Sequence, residues 1–390
     1  MYAAGVTEVF AQVAAQALGV YGIEHRFYHL DSSSFHLHGD YSDVEGDSEA
    51  IRISQGHSRE QRPDLKQVVV SLITGQQSQL PVWMEALSGN ESDKESFPKT
   101  VQAFCEQMQG EREVIFVVDS ALYGAENLRT LADITWLTRV PATSAAAKRV
   151  LAETPAQEMT ELAEGYTGTE LSSSYGGVAQ RWLLVYSSQA TERQEQTLQR
   201  QVKKESEAAG KAWRRLCRQA FNCLEDAIAA RDEWAQSWKY HRVEAMVHPL
   251  KRYPGPGRPA TGSAPEITGY QLQGELLLSE KALVQARRSQ GRFLLATNEL
   301  DRRKLPTAAM LSQYKAQGVS VERGFRFLKD PLFFADSLFL KNPQRIMALI
   351  MVLVLALLVY ALAERKLRLS LSAQGQSVPN QVGKKTQTPT

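Results

Sequence analysis

Eighteen residues from Ile346 to Ala363 (IMALIMVLVLALLVYALA) form an unbroken apolar run. This segment either crosses a membrane as a helix or is buried as one inside a large core. The length is borderline for a span, and the basic Glu364-Arg-Lys-Leu-Arg368 after it would suit a cytosolic flank, but no Trp marks an interface. The chain has 390 residues, 43% of them hydrophobic, enough for a core that could swallow such a helix. Read alone, the run would more often be taken for a membrane anchor; in the context of the whole chain we read it as a buried helix, entered at Asn342-Pro343, where Asn342 caps and Pro343 loses no donor in the first turn.

Export and disulfide scaffolding are not indicated. The N-terminus lacks a basic start followed by an apolar run. Cys105, Cys217 and Cys223 are irregularly spaced with no CxxC pair, which fits a reducing cytosol. The formal charge of +2 hides an uneven distribution: residues 40–49 are acidic, whereas Arg200, Lys203, Lys204, Lys211, Arg214, Arg215 and Arg218 crowd one stretch.

Apolar spacing predicts a helix over 7–20, then a strand through His25 to Leu30 that carries Asp31. Extended pieces follow at Ile51 and Ile53, at Val68 to Ile73 and at Leu80 to Met84, ordered like a meander. A helix over 93–109 capped by Ser92 or Asp93, a strand from Glu113 to Val118, a helix from Gly124 and a strand from Ile134 to Val140 complete a mixed sheet with helices on its faces. From Pro141 to 180 the composition turns to Ala, Ser, Thr, Glu and Gly. A strand is predicted over Arg181 to Ser187 and a single long helix over roughly 190–239. Prolines and glycines between Pro254 and Pro265 break regular structure, and strand patterns return at Tyr270 to Leu278 and Arg292 to Thr297. Helix resumes from Leu311 through Glu322 and stops near Asp330-Pro331. The tail after Ser370 reads as disordered.

Asp31 and Asp119 each follow an apolar strand pattern, and Glu322 lies on a helix with Arg326 and Lys329 at i+4 and i+7. Rigidly held carboxylates of this kind suit hard cations. Taken singly, each has a plain reading: Asp31 as a turn residue, Asp119 as a structural carboxylate, Glu322 as a solvated partner of Arg326. Asp40, Asp43 and Asp64 are rival acids without a preceding apolar strand. His29, His36, His38 and His57 cluster in sequence, but structural or DNA-facing roles fit them better than zinc. The basic stretch over 200–218 is either a solvated helix face or a phosphate-tracking one.

Jointly these residues resemble the DDE-type bacterial insertion-sequence transposases, in the group whose catalytic domain carries a β-rich insertion. The matching segments are LDSSSFHLHGDY, SREQRPDLKQVVV, LSGNESDKESF, VVDSALY and VERGFRFLKDP. The resemblance implies an α/β fold: a ribonuclease-H-like mixed sheet with flanking helices, interrupted by a large α+β insertion before the last acid. It divides the chain into 1–140 and 306–368 for the catalytic domain, 141–305 for the insertion and 369–390 for a tail. It implies that Asp31, Asp119 and Glu322 hold two Mg2+ ions, with Mn2+ as a substitute, and that Lys329, Arg326, Arg62 and Lys66 contact DNA. The implied partners are terminal-repeat and target DNA bound by a homodimer on paired ends, in the cytoplasm and without a membrane. Tyr314 sits one position early for the group's tyrosine, and Gly318 occupies its arginine position. Thirty residues precede Asp31, fewer than in the group, so the chain reads as N-terminally shortened. A ribonuclease-H-like structure-specific nuclease and a tail-anchored non-enzymatic scaffold are the alternative readings.

Overall fold

The apolar runs around the two aspartates become neighbouring strands, and their pairing organises the rest of the molecule. The computed structural model describes residues 5–39, 41, 50–58, 62–108, 113–253, 264–330, 340–380 and 382–389. Strands β1 (Phe27–Leu37), β2 (Lys66–Gly75) and β3 (Pro81–Leu87) form an antiparallel meander. Then β4 (Ile115–Val118) joins parallel to β1, and β5 (Thr135–Val140) parallel to β4. The resulting order, β3-β2-β1-β4-β5, is the ribonuclease-H-like arrangement that the resemblance implied. The strand expected at Ile51 and Ile53 reduces to a single bridge between Ser54 and Gln67. Ile51 is buried without making a ladder.

Beyond β5 the same sheet continues through β12 (Arg292–Thr297), β8 (Val178–Ser187), β7 (Tyr166–Tyr175) and β6 (Thr160–Ala163) to a total of nine strands. Part of the span 141–305 joins the main sheet, because the apolar Trp182 to Val185 buries its side chains by pairing with β12 there. Within 141–180 the structure has helix α4 (Ala145–Glu153) and the strands β6 and β7. The Ser- and Thr-rich β7 forms a hairpin with β8 at Gly176-Gly177, whose φ angles of 66° and 82° require glycine or a similarly tolerant residue.

The long helix expected over 190–239 is two helices. α5 (Ser188–Cys217) ends where Ala220 and Phe221 form the short strand β9, and α6 (Leu224–Gln236) follows. The break occurs because Phe221 packs into a small second core with Trp213, Trp234 and Leu272, which a continuous helix would not allow. That core sits under a separate three-stranded sheet, β10-β11-β9, of β10 (His241–Arg252) and β11 (Glu266–Leu278) with β9. Helix α7 (Glu280–Arg288) leads back into β12.

Helices cover the main sheet. α1 (Val6–Val20) buries Phe10, Ala14 and Leu18, and α2 (Asp93–Met108) buries Phe97, Val101 and Phe104. Phe104 lies at the centre of an aromatic cluster, with ring centroids 5.1 Å from Tyr28, 5.8 Å from Phe116 and 5.9 Å from Trp83. Between β4 and β5 comes the short α3 (Ala125–Thr130). The last two helices are α8 (Thr307–Leu328) and α9 (Pro343–Gln374). Asn342 caps α9 through its Oδ1, 3.1 Å from the Arg345 amide.

By length and composition α9 could cross a membrane. One face, with Ile346, Ile350, Met351, Val354, Leu357, Leu358 and Ala361, is buried in the main core together with Val321, Phe325 and Leu328 of α8. The helix is not enclosed on all sides, since Val352 and Val359 are 45% and 65% exposed. Arg323 of α8 and Arg368 of α9 both donate to Oε1 of Glu364, clasping the two helices. The tail expected as disordered continues α9 to Gln374 and then forms a small hairpin of β13 (Val378–Pro379) and β14 (Lys385–Thr386). Asp40, Asp43, the stretch 254–263 and Pro331 lie outside the described residues.

His25, at the entry to β1, is buried against Tyr28, and its Nε2 lies 2.9 Å from the Ser78 hydroxyl. Burial, and then the charge of Arg365, pull its pKa from 6.5 down to about 4. The folded state therefore takes up a proton more reluctantly than the unfolded chain. His25 costs no stability above pH 6.5, and its destabilising effect grows as pH falls towards 4. This contributes about 2 kcal/mol of lost stability between about pH 7.5 and about pH 5. Urea midpoints at the two pH values should converge in His25→Gln relative to the parent, and an unchanged gap would refute the assignment.

Candidate active site

Two aspartates come together through strand register. Leu30 of β1 stands opposite Val118 of β4, so Asp31 and Asp119, the next residue of each chain, occupy neighbouring positions where the shared ladder ends. Adjacent strands run about 5 Å apart, which puts the two carboxyl-bearing backbones side by side. Alternation fixes the face. Ile115, Val117 and Leu137 pack with Met310 and Leu311 of α8, whereas Tyr28, Leu30, Phe116 and Val118 pack in the main core with α2. Asp31 and Asp119 follow the first parity and belong to the α8 face.

Asp31 is not at the end of its strand, as expected, but in its middle, because the buried Ser32, Ser33 and Ser34 carry β1 on to Leu37. Its Oδ1 accepts from the Ser32 amide at 2.8 Å. Asp119 opens a one-turn 3-10 helix, Ser120–Leu122. Its carbonyl accepts from the Thr138 hydroxyl at 2.9 Å, and Tyr123, just beyond, stacks on Tyr175 of β7 at 5.2 Å. Both carboxylates are half-buried.

α8 packs across this row. Gln317 donates to the Leu30 carbonyl at 3.1 Å, and Ser320 shares a 2.6 Å hydrogen bond with Thr74 of β2. Both bonds are buried and seat the helix on β1 and β2 beside Asp31. Glu322 lies on the exposed side of α8, with Gly318 one turn before it: a Cβ there would come 3.4 Å from Oε2 of Glu322. Among the described residues no three His, Cys, Asp or Glu side chains stand close enough to share an ion. The register sets the backbones of Asp31 and Asp119 side by side, and with Glu322 they form no cluster of three among the described residues.

One residue not singled out as functional faces this centre. Arg139 of β5 has the α8 parity, with its Cζ 5.5 Å from the Phe293 ring centroid. Its positive charge acts on Tyr314 of α8, whose hydroxyl pKa is raised by burial first and then by the negative charges of Asp119 and Glu322, against Arg139. Tyr314 therefore lies in the field of both acids. The signal available was the alternation in Trp136-Leu-Thr-Arg139, which turns Arg139 to the same side as Leu137. His29, two residues before Asp31, is fully buried and unpartnered at both ring nitrogens, and burial lowers its pKa to about 4. It is a neutral core residue, and a ligand role is not indicated.

The basic candidates divide. Lys329 caps α8 and lies 5.2 Å over the Phe35 ring of β1, and Arg326 is exposed one turn from Glu322. Lys66 pairs with Leu37 at the far end of the β1–β2 ribbon, six residues from Asp31, or about 20 Å along the strand. Arg62 there is engaged with Asp64 at 2.7 Å. These two are not gathered at the acids.

The strand order and the carboxylate pair at its centre define a ribonuclease-H-like domain. A family model described as "Transposase DDE domain" matches residues 23–359, and the chain belongs to that family. No curated protein sequence matches it. Among solved structures it is similar to a piggyBac transposase synaptic complex with hairpin DNA, at 8% identity and a TM-score of 0.39, over 90% of this chain and 49% of that one. It is also similar to a Mos1 transposase paired-end complex with the left transposon end, at 16% identity and a TM-score of 0.21, over 37% of this chain and 43% of that one. A Mos1 mariner paired-end complex with Mn gives 16% identity and a TM-score of 0.20, over 37% and 44% of the two chains. The chain spans about half the length of the solved chains it matches.

Proposed function

We propose that this chain is the catalytic unit of a DNA transposase, which cuts a phosphodiester at the end of its element and joins that end to target DNA. The observation that carries the reading is the register pairing Leu30 with Val118, which makes Asp31 and Asp119 neighbours under α8 in a chain of the DDE family. In this reading 1–140 and 306–368 form the catalytic unit, 141–305 is inserted between them and 369–390 is a tail. Two copies act together on paired ends, in the cytoplasm.

Asp31 and Asp119 offer hard oxygen donors fit for a divalent cation, and Glu322 would complete the set only after moving towards them. A pair of Mg2+ ions, or Mn2+ in their place, would supply Lewis-acid polarisation of the phosphate and a more acidic bound water. The chain's own groups do the positioning. Arg139, exposed over the Phe293 ring and next to Asp119 by strand register, offers a guanidinium for a phosphate oxygen. Arg326 and Lys329 line the edge of α8 that carries Glu322, and Arg62 and Lys66 would meet DNA farther along the duplex.

The test is metal-dependent nicking and strand transfer on a duplex ending in the element's own terminal repeat. Asp31→Asn and Asp119→Ala are each expected to be inactive, and an active Asp119→Ala protein would sink the assignment. Nicking without strand transfer would favour the structure-specific nuclease instead.

A further inference from the structure

The separate sheet of β9, β10 and β11 carries α5, and the exposed side of this helix is a continuous cationic ridge. At 100° per residue, Arg193, Arg200, Lys203, Lys204, Lys211, Arg214, Arg215 and Arg218 fall on one face. All eight are exposed, and Glu207 is the only carboxylate among them. Of their acidic neighbours, Glu192 is exposed at the border of this face, whereas Glu195 pairs with Arg287 at 2.8 Å, and Glu205 accepts from the Tyr240 amide and faces His241. None of the eight cations has an ion-pair partner among the described residues. The opposite face is committed, with Leu198, Ala209 and Trp213 buried and the Trp213 indole donating to the Gly274 carbonyl at 3.0 Å.

We propose that this face of α5 is a docking surface for the phosphate backbone of duplex DNA, outside the acidic centre. The claim rests on the transposase reading for its choice of polyanion. From Arg193 to Arg218 the ridge runs about 38 Å at 1.5 Å per residue, close to one turn of duplex. A membrane-surface helix would need apolar side chains beside its cations, and here the apolar side is buried in protein. The position suits a second contact on the same substrate. Val118 of β4 pairs with Thr138, Thr138 with Ala296, and Ala296 with Trp182, so β8 runs parallel to β4. α5 therefore leaves the main sheet at Ser187 from the same edge that bears Asp119. Phosphate contacts carry no base information, so the ridge would set register and affinity and leave sequence choice to other groups.

The experiment uses the full chain and a fluorescein-labelled duplex of arbitrary sequence, with anisotropy titrations between about 50 and 200 mM salt. Neutralising Lys204, Lys211, Arg215 and Arg218 together to Gln should lower the slope of log affinity against log salt by about 3 to 4 and weaken binding by about 100-fold at the higher salt. Replacing arginines 215 and 218 by Lys should preserve binding within about threefold, since a point charge still meets a phosphate. Far-ultraviolet circular dichroism and thermal melting check that the quadruple variant folds. An unchanged slope and affinity in a folded quadruple variant would overturn the proposal. So would a loss confined to phosphatidylserine vesicles with duplex binding intact, which would identify a membrane contact. The two readings separate cleanly. If the Asp119→Ala protein remained active while the quadruple variant lost duplex binding, the catalytic assignment would fall and the ridge would stand.

Discussion

Glu322→Gln is expected to reduce metal-dependent cleavage on the order of 10³-fold while shifting stability by no more than about 0.5 kcal/mol. The structure separates the two effects. Glu322 is exposed on α8 and has no ion-pair partner among the described residues, so removing its charge takes away little that holds the helix down. α8 is seated instead by Gln317 on Leu30, by Ser320 on Thr74 and by the Arg323–Glu364 clasp. A large loss of cleavage with an unchanged melting curve would mean that the carboxylate swings in when metal and DNA arrive. Active sites often tighten only in the complex. Activity within tenfold of the parent would show instead that the aspartate pair works without it.

Phe104→Ala should cost about 3–5 kcal/mol, among the largest losses available to a single side chain. Phe104 sits edge-on to Tyr28, Trp83 and Phe116, so one ring from α2 ties together β1, β3 and β4. Its removal leaves a void that rigid strands on three sides cannot collapse into. The measurement is the urea midpoint, and a fall equivalent to less than about 1 kcal/mol would show that this cluster can repack. Because the same ring braces β1 against β4, cleavage should fall before unfolding is complete.

The β1–β5 half of the fold was legible because its elements obey single rules. Val68 to Ile73 and Ile115 to Val118 are apolar runs between breakers, and Asn342-Pro343 is a helix start that needs no tertiary help. Reading failed where burial overrode composition. Residues 32–34 of β1 are serines, yet they are buried and extended, so the strand continues past Asp31. β7 is mostly polar because it lies near the sheet edge, and its best local sign was the Gly176-Gly177 pair before an apolar run. The division of the long helix depends on Phe221 finding Trp213 and Trp234, contacts that no local period encodes. For the site, the acids' order in the chain pointed to the centre, but where Glu322 falls relative to the aspartates is a matter of helix placement that no local pattern encodes. Arg139 escaped notice because its place beside Asp119 comes from the β4–β5 register, which no local pattern encodes.

The unequal lengths of β1 and β4 bear on how this protein tolerates change. Asp31 and Asp119 are neighbours only because Leu30 faces Val118, and side chains alternate between the two faces of the sheet at every residue. Inserting or deleting one residue between Phe27 and Leu30, or between Ile115 and Val118, would leave both aspartates in the polypeptide and turn one of them towards α2. The short ladder they share therefore acts as a ruler. Sequence comparisons that tabulate acids would pass such a variant as intact, although one carboxylate would point into the aromatic core.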